Sequence, residues 1–253
     1  MNDDLTRRNT WDDLRRLTAA RIGLARSGAS LSTAPLLQFA LAHAQARDAV
    51  HETLDERQLA SDLADLTLPV LHVASAVSDR QQYLMRPDLG RRLADGAEAA
   101  LAPHAGSYDV AFVVADGLSA RAVQAHAAPV LREVVPALRK DNLRIAPLVV
   151  ARHGRVALGD AIATRLNADV VVMLIGERPG LSSPDSMGAY LTWQPHAATT
   201  DAERNCISNI RPQGVAYGDA AFKLGALVTA MRARQISGVM LKDDSDRLTL
   251  QGP

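Results

Sequence analysis

One cysteine, Cys206, stands in the run RNCISNI. A lone thiol excludes an internal disulfide and any cysteine-pair zinc or iron–sulfur site. No nucleophile motif surrounds it, so a packed or contact thiol is the ordinary reading and a catalytic nucleophile the rarer one. Glu177 lies in GERPG, where glycines and prolines mark a loop. A carboxylate there is ordinarily solvated or paired with a neighbour such as Arg178. Asp116 and Ser119, in VVADGLSARAV, suit either the cap of a following helix or a ligand contact. The seven histidines include no H-E-x-x-H or other spaced metal pair. His43 and His51 fall two turns apart on one predicted helix, which favours packing or a partner-facing role over metal ligation. Arg21 and Arg26 invite a phosphate, but the glycines between them favour a loop laid against a partner.

These residues need elements to hold them. The runs over 108–117, 143–152 and 168–180 are short, apolar and rich in β-branched residues, and helical stretches separate them. Strands alternating with crossovers of that length predict a doubly wound, mainly parallel α/β sheet. Ligands of such sheets lie beyond the carboxyl ends of the strands. The loops after the three runs carry Asp116, Val156 and Glu177, and they are expected to face one crevice. Neither G-x-G-x-x-G nor a P-loop string occurs, so the crevice is not built for a pyrophosphate. Its small residues, backbone amides and apolar side chains suit a broad, neutral ligand fringed with amides.

The chain before the sheet reads differently. Residues 1–20 are charged, with Trp11, Leu14 and Leu17 spaced as a short amphipathic helix, and are read as a docking arm. Residues 21–105 are expected to be mainly helical, with helices over 36–54 and from Pro87 onward. The α/β domain occupies 106–253. Lys and Arg total 28, as do Asp and Glu, so no net field gathers nucleic acid or anionic lipid. With 47% hydrophobic residues, no signal-peptide pattern and no apolar run of membrane-spanning length, a cytoplasmic globular protein is expected.

Five runs in order, LLQFALAHAQARDAVH, SDRQQYLMRPDLGRRL, VVADGLSARAV, LIGERPGLSSPDSMGAYLTW and RNCISNIRPQG, together resemble the small subunit of ethanolamine ammonia-lyase. The resemblance covers about residues 21 to 240. It implies a Rossmann-like α/β domain of the cobalamin-binding type, packed on a large barrel subunit, with adenosylcobalamin held between the two. It carries cofactor contacts over to Val156, Glu177 and Cys206, and places the substrate pocket in the large subunit. No catalytic acid, base or metal ligand is therefore assigned to this chain. The implied reaction converts ethanolamine to acetaldehyde and ammonia through radical chemistry belonging to the cofactor. A bacterial microcompartment is one setting the resemblance allows. No D-x-H-x-x-G string is present and no histidine is expected at a matching strand end, so the cofactor is expected to keep its own base on cobalt. A stand-alone cobalamin carrier and a structural assembly subunit are the alternatives.

Overall fold

The computed structural model describes residues 11–245, so the first ten residues of the expected docking arm lie outside the described residues. The described part of the arm includes helix α1 (Trp11–Arg15), and Trp11, Leu14 and Leu17 all remain exposed. A small hairpin, β1 (Arg26–Ser27) and β2 (Ser30–Leu31), leads into α2 (Thr33–His51) and α3 (Glu56–Asp62). Arg21 donates to the Leu181 carbonyl at 3.2 Å, so this segment leans on a loop of its own chain.

Strand β3 (Val70–Ala74) then enters the main sheet, although the stretch containing it reads as helical. The helix expected from Pro87 is absent. A helix, α4 (Arg80–Met85), forms earlier instead, where Asp79 accepts from the Gln82 amide at 2.8 Å as its cap. Asp88 is unavailable as a cap because its carboxylate is taken by the Arg86 guanidinium, at 2.6 and 2.9 Å. Gly96, at φ +83°, stands at the N-cap of the short α5 (Ala97–Leu101).

Beyond it the expected alternation holds. Strand β4 (Tyr108–Ala115), helix α6 (Ala120–Lys140), strand β5 (Leu148–Arg152), helix α7 (Leu158–Leu166) and strand β6 (Ala168–Gly176) come in turn. Strand β5 is shorter than the apolar run because Pro147 has no amide hydrogen to donate to a ladder. Two strands that the pattern did not predict, β7 (Met187–Trp193) and β8 (Asn205–Ile210), come next, and α8 (Tyr217–Arg234) returns across the sheet.

The sheet order is β3-β5-β4-β6-β7-β8; the first four strands are parallel and the last two add antiparallel. The architecture is thus α/β with a mixed, mostly parallel sheet. Alternate residues of each strand serve opposite faces. Val110, Phe112 and Val114 of β4 join the core beneath α6 and α8, while Ala111, Val113 and Ala115 join the core beneath α5 and α7. Burial on both faces is why the inner parallel strands β4, β5 and β6 read as unbroken apolar runs.

The carboxyl end of the sheet is closed by backbone meeting backbone. Gly117 is at φ +55°, and the Leu118 amide donates to the Gly176 carbonyl at 2.9 Å. A Cβ on Gly176 would run into the Ser119 carbonyl oxygen, a rigid neighbour. Gly176→Ala is therefore expected to cost at least about 1–3 kcal/mol through overpacking. Urea unfolding checks this, and an unchanged midpoint would mean that the turn has room to move.

Candidate ligand-binding site

The crevice predicted between the strand-end loops is filled by the protein itself. Tyr83, fully buried, sends its hydroxyl to the Gly154 carbonyl at 3.0 Å, and Arg80 donates to the Gly117 carbonyl at 2.7 Å. The guanidiniums of Arg80 and Arg155 both approach the Tyr83 ring, with centres 4.8 and 4.1 Å from its centroid. Asp116 accepts from the Gly154 amide and faces Arg80 and His153, at 3.5 and 3.2 Å. It ties the β4 and β5 loops together and is not a helix cap. Ser119 takes the capping role, accepting from the Ala122 amide while its hydroxyl donates to the Pro184 carbonyl at 3.0 Å. His153 stands directly after β5, and its ring is turned inward against Asp116 and Tyr83.

The open surface lies to one side, over β6, β7 and β8 on the α7 face. Glu177 leaves the end of β6 half-buried. Its carboxylate accepts from the Ser186 hydroxyl and, at 3.2 and 3.4 Å, from the Asn209 amide. No ion pair with Arg178 occurs among the described residues, so the expected local pairing is replaced by a cross-strand clamp. Gly188 makes the space for it, since a Cβ there would lie 2.9 Å from the Glu177 Oε1. Two residues along β7, Tyr190 packs on the same core and pairs in register with Cys206 of β8. Burial holds the Tyr190 phenol well above its ordinary pKa.

Cys206 is exposed, yet desolvation by its neighbours raises the thiol's pKa, and the hydroxyls of Ser208 and Tyr190 only partly offset this. A thiol whose pKa is raised in this way stays protonated at neutral pH, which weighs against a nucleophile. Val156, just before α7, is half-buried against the core on which Tyr190 packs. Val156, Glu177 and Cys206 are thus all associated with one face of the sheet, although they come from three separate segments. Glu177 and Cys206 are close enough that the carboxylate's charge acts on the thiol.

A cleft of about 1080 Å³ adjoins this face along the outer side of α7, and Val156 lines it. Across it runs a buried ion pair that no local sequence pattern announces. Both oxygens of Asp160 receive the Arg204 guanidinium at 2.7 Å, with side chains 7% and 3% exposed. Arg204 also donates to the Thr192 hydroxyl at 3.1 Å. Burial disfavours its charge, but the hydrogen bonds and charges of Asp160 and Asp201 raise its pKa above the usual value. Among the described residues no group of three His, Cys, Asp or Glu side chains could hold a metal ion.

These features define an α/β protein whose candidate ligand surface is an open wall with an adjoining cleft. Residues 8–242 match the family model described as ethanolamine ammonia-lyase light chain (EutC), and the chain belongs to that family. Among its relatives, the ethanolamine ammonia-lyase small subunit of Xanthomonas campestris pv. campestris (strain B100) is 51% identical over 244 residues, covering 95% of this chain and 90% of that protein. The protein of the same name from Pseudomonas putida is 51% identical over 247 residues, covering 96% and 91%. That from Rhodopseudomonas palustris (strain BisA53) is 53% identical over 234 residues, covering 92% and 90%.

Proposed function

We propose that this chain is the small subunit of an adenosylcobalamin-dependent ethanolamine ammonia-lyase, in which it forms one wall of the cobalamin site. A large subunit carries the substrate site, and the complex converts ethanolamine to acetaldehyde and ammonia. The observation that carries this reading is the exposed sheet face where Glu177 and Cys206, cofactor contacts by family resemblance, lie close together. The donor set suits the cofactor's periphery and not its metal. The Glu177 carboxylate, held by Ser186 and the Asn209 amide, keeps a lone pair on Oε1 for an amide N–H of the corrin edge. The Cys206 sulfur and the Val156 methyl groups supply apolar contact, and the strands beneath exclude water. Adenosylcobalamin, when bound, supplies the radical chemistry.

Partner surface supports the same reading. Only Ala42 and Ala49 of the 19 residues of α2 are buried, and Leu36, Leu37 and Leu41 are each more than half exposed. Apolar surface of this extent, together with the exposed Trp11, Leu14 and Leu17, fits a docking region for the large subunit. No described helix is long and apolar enough to cross a membrane. A cytoplasmic enzyme, in some settings enclosed in a bacterial microcompartment, is consistent with this reading.

Glu177→Ala in the assembled enzyme is expected to raise the cofactor concentration needed for half-maximal activity about tenfold, the loss of one charged hydrogen bond at a half-buried site. The ethanolamine requirement should stay within about twofold of the parent, because Glu177 belongs to the cofactor wall. Titrating each ligand at saturation of the other separates the two. An unchanged cofactor curve would return Glu177 to the role of a cross-strand clamp.

A further inference from the structure

The cleft beside α7 carries an imbalance of charge. Five arginines line it against three carboxylates, Glu98, Asp160 and Asp201. Each carboxylate is already taken: Glu98 by Arg165 at 2.6 Å, and Asp160 and Asp201 by Arg204 at 2.7 and 3.4 Å. Arg155 donates to the Tyr83 carbonyl at 3.1 Å and stacks on the Tyr83 ring, and it forms no ion pair with a carboxylate among the described residues. Arg91 and Arg92 are exposed at the rim, and neither guanidinium meets a carboxylate among the described residues. Three cations are thus left without a carboxylate, and positive charge is in excess across the cleft as a whole.

Arrangement matters as much as number. The backbone holds the two rim arginines firmly, because the Ala76 amide donates to the Arg92 carbonyl at 2.8 Å and the Arg155 amide to the Gly90 carbonyl at 2.8 Å. The β5 loop, the 3-10 turn of Leu89–Arg91 and the start of α7 therefore form one rigid unit. Guanidiniums borne on a backbone fixed in this way suit a phosphate, whose oxygens accept paired N–H donors. Val156 lines the same cleft, so the cationic region is continuous with the wall that carries the proposed cofactor contacts.

We propose that this cleft is an anion subsite in which Arg91 and Arg92 hold the phosphodiester of the cofactor's nucleotide loop, with Arg155 adding charge behind them. The inference rests on the cobalamin-wall reading and deepens it. The corrin edge presents neutral amides, whereas the phosphodiester is an anion, so one cofactor asks for both kinds of surface. The wall around Glu177 and Cys206 supplies the first and the cleft the second.

The test compares two corrinoids on the assembled complex of this chain with its large subunit, followed by the visible spectrum and not by turnover. Hydroxocobalamin carries the nucleotide loop; cobinamide lacks it together with the bridging phosphodiester. In Arg91→Ala/Arg92→Ala, hydroxocobalamin affinity is expected to fall about tenfold or more while cobinamide affinity is unchanged. The Arg91→Lys/Arg92→Lys complex should recover part of the loss, and the salt dependence of hydroxocobalamin binding should flatten in the alanine variant. Equal weakening of both corrinoids, or of neither, overturns the subsite while leaving the wall in place. Binding of inorganic phosphate that needs the two arginines, alongside cobalamin affinity that ignores them, would make this a free-phosphate site and overturn the cofactor assignment. If the parent complex binds neither corrinoid, the wall reading fails and the subsite fails with it.

Discussion

Asp160→Ala should destabilise the chain by about 3–5 kcal/mol, because it leaves the Arg204 guanidinium buried without its bidentate partner. The remaining contacts are poor substitutes: Thr192 and the Thr199 carbonyl are neutral, and the Asp201 carboxylate stands 3.4 Å from Nε and is almost fully exposed. The opposite deletion should behave differently with pH. Burial already pushes the Asp160 carboxyl above its ordinary pKa against the pull of Arg204. In Arg204→Met that pull is gone, so the carboxyl can take up a proton in the folded state more readily than in the unfolded chain. Arg204→Met should therefore be least stable above the raised pKa of Asp160 and recover as pH falls through it, whereas Asp160→Ala should show no such recovery. Urea unfolding at several pH values measures both. Near-neutral effects of each single change would mean that solvent reaches the pair.

The chain purified without a large subunit is expected to turn over no ethanolamine, and activity should appear when the two are combined. The expectation comes from the shape of the site. Glu177 is half-buried and Cys206 exposed on a sheet face that opens to solvent. The strand-end crevice that could have held a substrate is filled by Tyr83, Arg80 and Asp116. A radical reaction needs enclosure from water as well as a cofactor, and an open wall offers half of that enclosure. Assaying acetaldehyde with the chain alone, the large subunit alone and the two together decides the matter. Turnover by the chain alone would refute the proposed division of labour.

The parts legible in the sequence were those whose signal is local. The runs at β4, β5 and β6 are buried on both faces, and such burial writes itself into consecutive residues. The Gly/Pro loop around Glu177 announced itself for the same reason, since turn chemistry is carried by the residues in the turn. Family resemblance singled out Cys206, which neither pattern nor composition distinguishes, whereas Val156 was marked beforehand only by its place on a strand-end loop.

Strands β7 and β8 pair with their sequence neighbours β6 and β7 but interrupt their apolar residues with Gly188, Thr192, Asn205 and Ser208. The edge strand β3 was illegible because its ladder joins segments far apart in the chain, with Val70 of β3 facing Leu148 of β5. The same holds for Asp160 and Arg204, which are 44 residues apart. No short window contains both charges, so nothing in either neighbourhood shows that one neutralises the other. The cleft arginines are hidden in the same way, since a guanidinium counts as free only when the whole set of neighbouring carboxylates is known. The amino-acid sequence by itself determined the alternating α/β core and the turn that ends β6. Tertiary structure alone decided that the strand-end crevice would be plugged, that the candidate site would move onto the α7 face, and which charges would remain uncompensated. The first set depends on which residues adjoin one another in the chain, and the second on distances across the fold.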